Sequence, residues 1–158
     1  MARDGFNLET NPLHLGLGAK ALPQPPFTDM QWYEDYAART AQDGVEGRLV
    51  AMHRFSESWD SWEMHPFGDE VVLCLSGHMT LHQEHSDGST AVVTLGPHDY
   101  AVNPPGTWHT ADVEGEALHP AGIVDREFLK YDALLRHGRK IIGRRPALGR
   151  GLDDPVRL

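Results

Sequence analysis

The sequence has a single cysteine, little positive charge over most of its length and no long apolar run. Cys74, alone among 158 residues, excludes an intramolecular disulfide and a thiolate zinc site, and it suits a reducing cytoplasm. No apolar stretch approaches the roughly 18–20 residues that span a membrane. Met1–Gly5 lacks the apolar segment of a secretory signal. We therefore expect a cytoplasmic protein with no membrane partner, in which any metal is held by nitrogen and oxygen.

Positive charge is concentrated at the C-terminal end. Residues 1–125 carry 5 Lys/Arg and 19 Asp/Glu, a balance of −14, and residues 126–158 carry 9 and 4, a balance of +5; the two balances add to the net charge of −9. An acidic body does not suit nucleic acid or polyphosphate, so no nucleic-acid partner is expected. The basic tail could contact nucleic acid; we favour the interpretation that it lies on the acidic body of its own or a neighbouring subunit.

The two ends of the chain are predicted to flank a central domain. Residues 1–46 combine an extended arm, rich in Gly and Pro, with a helix that begins near Thr28 and packs on the domain through an aromatic stripe. Residues 125–158 are predicted to form a second helix, which begins at Asp125 and ends near His137, and a basic tail.

Residues 47–124 have the pattern of an all-β domain. Short runs of alternating polarity are separated by turn signals, among them Asp87-Gly88 inside a hairpin, and this spacing favours an antiparallel sandwich or barrel. The predicted strands are Arg48–Phe55, Trp62–His65, Glu70–Ser76, Met79–Glu84, Thr90–Leu95, Tyr100–Asn103, Trp108–Val113 and Ala117–Val124.

Two carboxylates and two imidazoles stand out within these strands. Glu63 and His65 are two residues apart and so face the same side of a strand, and Glu70 opens the next strand after a tight turn. His109 follows Pro104-Pro105-Gly106, a turn that can direct its strand back to the same point. If that face lies inside the domain, the four side chains converge into a site for one divalent cation such as Fe, Mn, Ni or Zn.

Each of these residues also has a plain structural interpretation. A lone strand His is usually a surface group or a satisfied core group, and a lone Glu is usually a solvated carboxylate. Two carboxylates close together repel each other unless a cation compensates them. The pairing of Glu63 with Glu70 therefore favours a metal, provided that both face inward.

The two segments that carry these residues resemble the two motifs of the cupin superfamily. His65, Glu70 and Gly77 fall at the positions of the second His, the Glu and the final Gly of the first motif. The second motif is matched by four residues and departs from the pattern at its end, where Val113 replaces Asn; the matching residues are Gly96, Pro104, Gly106 and His109. The first motif departs at Glu63, where its first His is usual. The same stretches look like small cupins described as similar to mannose-6-phosphate isomerase.

The resemblance implies a single-domain cupin, an antiparallel jelly-roll β-barrel that forms a homodimer. It implies metal ligation by His65, Glu70 and His109, with Glu63 either a fourth ligand or a catalytic acid or base beside the metal. We expect a metal-dependent enzyme of isomerase or dioxygenase type acting on a small oxygen-rich molecule, such as a sugar, keto acid or hydroxy acid. The alternatives are a non-catalytic small-molecule-binding or regulatory module, and a structural protein whose motif residues satisfy one another.

Overall fold

The computed structural model describes residues 5–113 in full and, further along the chain, the backbone of residues 127–133 and 141–144. These residues form one α-helix, α1 (Gln31–Thr40), a short 3-10 segment, Ala41–Glu46, and eleven strands. The strands are β1 (Leu13–Gly16), β2 (Lys20–Pro23), β3 (Arg48–Arg54), β4 (Ser61–Met64), β5 (Glu70–Cys74), β6 (Met79–Glu84), β7 (Thr90–Leu95), β8 (Tyr100–Asn103), β9 (Trp108–Asp112), β10 (Glu127–Ala133) and β11 (Ile141–Arg144). No helix in this part of the chain is long and apolar enough to cross a membrane.

The strands form two antiparallel sheets. One has the order β2-β1-β3-β10-β5-β8 and the other the order β11-β4-β9-β6-β7. Both sheets contribute to one apolar core, which contains Val72 and Cys74 from the first sheet and Leu81 and Ala111 from the second. The architecture fits a jelly-roll broadly. The predicted barrel is corrected in one respect, because no strand pairing among the described residues closes the two sheets into one.

The central strands were predictable because their side chains alternate between the core and solvent. The strands β6, β7 and β8 have the predicted bounds, and β3, β4, β5 and β9 differ from prediction by one or two residues at an end. In β5, Glu70, Val72 and Cys74 are buried and the residues between them are partly exposed. Glu70 therefore shares the core-facing side of its strand, as the sequence pattern predicts.

The predicted C-terminal helix is wrong where the structure describes it. Glu127–Ala133 form the strand β10, which pairs with β3 on one side and β5 on the other. A central position offers backbone hydrogen bonds on both edges, and such tertiary pairing overrides a modest local preference for helix. The rest of the predicted helix, the strand Ala117–Val124 and most of the basic tail lie outside the described residues.

The N-terminal arm is a hairpin rather than a single extended segment. The strand β1 pairs with β2 and also with β3, so the hairpin extends the first sheet. The helix α1 lies in the predicted range. It buries Trp32 and Tyr36, whose stacked rings have centroids 5.3 Å apart, in a cluster with Leu49 of β3.

A buried polar network joins this hairpin to the helical segment. His14 of β1 is fully buried; its Nδ1 lies 2.8 Å from the Tyr36 hydroxyl and its Nε2 lies 2.8 Å from an Asp43 carboxylate oxygen. A carboxylate only accepts hydrogen bonds, so Nε2 carries the proton and donates a hydrogen bond to Asp43. This hydrogen bond holds the pKa of Asp43 below its usual value. The network fixes where the hairpin and α1 meet.

Replacing Tyr36 by phenylalanine is expected to lower the free energy of unfolding by roughly 1–3 kcal/mol, because it removes the hydroxyl partner of a buried ring nitrogen. Urea unfolding of the variant and the parent protein measures the difference. Tyr100→Phe is the matched control, since Tyr100 is 65% exposed. Equal stabilities for the Tyr36 variant and the parent would show that the network does not stabilise the fold.

Candidate metal centre

The structure brings the four candidate ligands together in the interior. Glu63 lies in β4, His65 directly after it, Glu70 at the start of β5 and His109 in β9. All four side chains are buried, and one ligand atom from each lies within 4.8 Å of the others. The group combines both cupin-like segments, as the sequence pattern requires.

Strand register explains this convergence. In the second sheet β4 pairs with β9, and Glu63 stands directly opposite His109. The turn before β9 is tied to the first segment, since the amide of Gly106 donates to the carbonyl of His65 over 2.9 Å. Gly106 has φ of 78°, a left-handed conformation that glycine adopts without strain. This turn fixes His65 and His109 relative to each other.

His109 is the centre of the cluster. Its Nε2 lies 2.7 Å from Glu70 Oε2 and 3.2 Å from Glu63 Oε1. The His65 Nε2 lies 3.5 Å from Glu70 Oε1, and the two imidazole rings stack with centroids 5.7 Å apart. The Nε2 atoms of both histidines are thus directed at the carboxylate oxygens, and all four groups face a common point.

The two carboxylates control the protonation of His109. Burial is the largest single effect and lowers its pKa. The charge of Glu70 and the hydrogen bonds to Glu63 and Glu70 together outweigh burial and raise the pKa of His109 to about 9. A cation at this point would repel that proton and take its place between the carboxylates.

A second layer of side chains orients these groups. The His109 Nδ1 lies 3.2 Å from the carbonyl of Thr107, which can only accept, so Nδ1 carries a proton and Nε2 is the atom available to a metal. Asn103 is buried and donates from Nδ2 to Glu70 Oε2 over 2.7 Å. Gln83 in turn donates to the Asn103 carbonyl oxygen. These hydrogen bonds fix the orientation of the Glu70 carboxylate and the His109 ring.

The sequence pattern does not indicate the roles of Asn103 and Gln83. Asn103 reaches Glu70 through the pairing of β5 with β8, which places the two residues directly opposite each other. That register depends on how two strands distant in sequence align. It is therefore not visible from the spacing within either segment.

Replacing Asn103 by alanine is expected to reduce divalent-metal affinity by about 10–100-fold, the usual cost of losing a partner that orients a metal ligand. Competition with a fluorescent chelator measures the affinity, and circular dichroism checks that the fold persists. The matched control is Asn7→Ala, since Asn7 is exposed. An Asn103 variant with parental affinity would show that Glu70 needs no such support.

The donor set fits a divalent transition metal. Two imidazoles and two carboxylates suit Fe, Mn, Ni or Zn. Bonds of about 2.0–2.2 Å allow ligand atoms up to about 4.4 Å apart, that is, twice the longest bond. The four ligand atoms are at most 4.8 Å apart. The side chains would therefore have to move by only about a few tenths of an ångström to reach a common ion. Glu63, His65, Glu70 and His109 can therefore hold one ion together.

An open pocket lies beside this cluster. It has a volume of about 350 Å³, and Glu63 is among its lining residues. We call it the rim pocket; its lining residues are Phe55, Glu57, Ser58, Trp59, Asp60, Ser61 and Glu63. Of the four clustered residues, Glu63 is the one in this lining, so it connects the cluster with the space where a small molecule can bind.

Comparisons with known proteins support the fold. No protein-family model and no curated protein matches the chain. Among solved structures, an oxalate oxidase aligns with a TM-score of 0.50 at 13% identity, over 64% of this chain and 49% of that chain. A deletion mutant of Bacillus subtilis oxalate decarboxylase aligns with a TM-score of 0.50 at 13% identity, over 66% of this chain and 25% of that one.

A cupin-2 domain protein from Shewanella frigidimarina aligns over 54% of this chain and 70% of its own, at 15% identity and a TM-score of 0.41. The oxalate oxidase and the oxalate decarboxylase therefore share the fold of this chain over about two thirds of its length. The chain spans about half of the oxalate oxidase and a quarter of the oxalate decarboxylase. None of these three proteins is described as a mannose-6-phosphate isomerase, so that finer resemblance stays a prediction.

Proposed function

We propose that this chain is a metal-dependent enzyme of the cupin type that acts on a small, oxygen-rich molecule. One observation carries the proposal: four buried side chains from two separate segments place one ligand atom each within 4.8 Å of one another. Two buried carboxylates in such proximity repel each other; a protonated His109 offsets one of the two charges, and a divalent cation would offset both. His65, Glu70 and His109 would hold the ion.

A divalent ion at this position would supply a Lewis acid for a substrate oxygen or, if it is iron, a centre for dioxygen chemistry. The protein supplies the rest. Thr107 and Asn103 orient His109 and Glu70, and burial of the cluster excludes water and strengthens its electrostatic interactions.

Glu63 lies at the boundary between the cluster and the rim pocket. It is close enough to His109 to complete the ligand set, and it lines the rim pocket. A carboxylate beside a bound substrate can accept a proton from it and return the proton at another atom. We assign Glu63 the role of proton carrier at the boundary between the ion and the pocket, with ligation as its second role.

The test is a thermal-shift screen of metal-loaded protein against sugars, diketones and hydroxy acids, followed by turnover assays on the hits. Mn(II) belongs among the loaded metals because Bacillus subtilis oxalate decarboxylase has Mn(II) centres. We expect product from at least one hit, and a loss of at least about 100-fold in turnover for Glu63→Gln at unchanged substrate binding. Saturable binding without product from any hit would instead indicate a binding or regulatory module.

The homodimer and the cytoplasmic location remain predictions. Both follow from the sequence and from the family resemblance. Size-exclusion chromatography with light scattering of the full chain tests the first, with a dimer mass as the expected result.

A further inference from the structure

The first sheet is apolar on both of its faces. Residues alternate between the faces of a strand, so the two neighbours of the core residue Val72 in β5, Val71 and Leu73, lie on the side away from the core, which we call the outer face. Strand register identifies the outer positions of the adjoining strands. They form two apolar rows across the sheet: Pro23, Leu13, Val50, Tyr131, Val71 and Val102 in one, and Met52, Leu129, Leu73 and Tyr100 in the other.

The sequences of these strands have the pattern of a sheet that is covered on both sides. Residues 71–74 of β5 are all apolar, and so are residues 49–52 of β3. Continuous apolar runs are typical of strands buried on both faces, whereas a strand with one solvated face alternates. The strand β6 is equally central in the second sheet, and it does alternate, with Thr80, His82 and Glu84 at its outer positions. The outer face of the first sheet therefore has the composition of a contact surface.

Part of the outer face is exposed in the single chain. Tyr100 is 65% exposed and Val102 is 42% exposed. Their neighbours in β5, Val71 and Leu73, are partly exposed. With about 4.8 Å between strands and about 6.7 Å between rows, the apolar rows cover on the order of 250 Å² when measured flat. The accessible area is larger because side chains project from the sheet, and apolar patches of a few hundred Å² often mark interaction sites.

Charged positions on the outer face are confined to strand ends. They are Arg48 and Arg54, the first and last residues of β3, and Glu127, the first residue of β10. An apolar centre with a charged rim is the usual composition of a protein–protein interface.

We propose that the outer face of the first sheet binds the same face of a second copy of this chain, so that the two sheets pack back to back. An apolar face matches its own copy across a two-fold axis, and twisted sheets pack on each other about 10 Å apart. Segments 114–126, 134–140 and 145–158 suit this uncharged centre less well, because they carry 4, 3 and 5 charged residues in 13, 7 and 14. The proposal locates the interface of the expected homodimer and does not depend on the metal centre.

Substitution of two exposed residues in the outer face tests this assignment. Tyr100→Lys with Val102→Lys is expected to weaken the dimer at least about 100-fold, because each lysine loses water in the interface without gaining a partner. Size-exclusion chromatography with light scattering of the full chain, over a range of protein concentrations, measures the dissociation constant. A parent chain that is monomeric at every concentration would overturn the proposal.

The matched control is Val92→Lys with Thr94→Lys. Both residues are exposed in β7, the edge strand of the second sheet, and Val92 is 64% exposed, nearly the same fraction as Tyr100. This variant should dimerise like the parent, and circular dichroism shows whether each variant keeps its fold. Parental dimer affinity in the first variant, or equal weakening in both variants, would overturn the assignment to the first sheet.

A cross-link identifies directly what covers the outer face. The full chain with p-benzoylphenylalanine in place of Tyr100 is irradiated in an equal mixture of isotopically labelled and unlabelled copies, and mass spectrometry identifies the linked peptides. We expect links between differently labelled copies, to peptides that contain β3, β5, β8 or β10. Links confined to one copy, in residues 114–126, 134–140 or 145–158, or links to the second sheet of another copy, would overturn the proposal.

Discussion

Replacing His109 by alanine is expected to reduce divalent-metal affinity by well over about 100-fold, because loss of a ligand exceeds the 10–100-fold cost of losing one of its supporting partners. His109 contacts both Glu63 and Glu70, so the change also leaves two buried carboxylates facing each other without their shared imidazole. Titration of the chelator-treated protein with Mn²⁺, Zn²⁺ or Ni²⁺ measures the effect. His65→Ala is expected to act in the same direction.

His78→Ala is the matched control, because His78 is exposed and lies outside the cluster. It should bind metal with parental affinity. Circular dichroism of each variant shows whether the two sheets persist, so that loss of binding is not confused with unfolding. Full metal occupancy in either His65→Ala or His109→Ala, with the fold intact, would show that the removed residue is not a ligand.

Metal affinity is expected to rise by about tenfold per pH unit between pH 6 and pH 8, because one proton on His109 has to leave before the metal binds. The basis is the pKa of His109, which the surrounding carboxylates raise to about 9. Over this interval the total gain is roughly 100-fold for one displaced proton. Isothermal titration with Mn²⁺ at pH 6, 7 and 8 in buffers of matched ionic strength measures it.

In protein treated with a chelator, the same proton makes the fold less stable as the pH rises, whereas metal affinity increases with pH. The pKa of His109 lies above the unfolded value of about 6.5, so its protonation stabilises the fold fully below pH 6.5. That contribution is lost as the pH rises through about 9. The difference in Tm between metal-loaded and chelator-treated protein should therefore widen with pH. A constant difference from pH 6 to pH 8, together with pH-independent affinity, would contradict the assignment of His109.

The central strands and the candidate site could be predicted from the sequence because short, local patterns of residues indicate them. A period of two places Glu63 and His65 on one side of a strand, and turn residues set where each strand ends. Burial of Glu70 with Val72 and Cys74 follows from the same alternation. The resemblance to the cupin motifs brought His109 into the group from a segment about 40 residues away.

The features that the sequence did not reveal depend on long-range pairing. The strand β10 is a strand because β3 and β5 both offer it hydrogen bonds, which no local pattern around Glu127–Ala133 indicates. The N-terminal hairpin likewise exists because β3 pairs with β1. Asn103 reaches Glu70 only through strand register. In each case the missing information was which strand lies beside which.

Elemental analysis of the untagged protein tests the central claim most directly. The full chain is treated with a chelator, incubated with Fe²⁺, Mn²⁺, Ni²⁺ and Zn²⁺ in turn, and freed of excess metal before measurement. We expect one divalent ion per chain with at least one of these metals, and none in the double variant His65→Ala with His109→Ala. A folded parent protein that stays metal-free with all four metals would contradict this expectation.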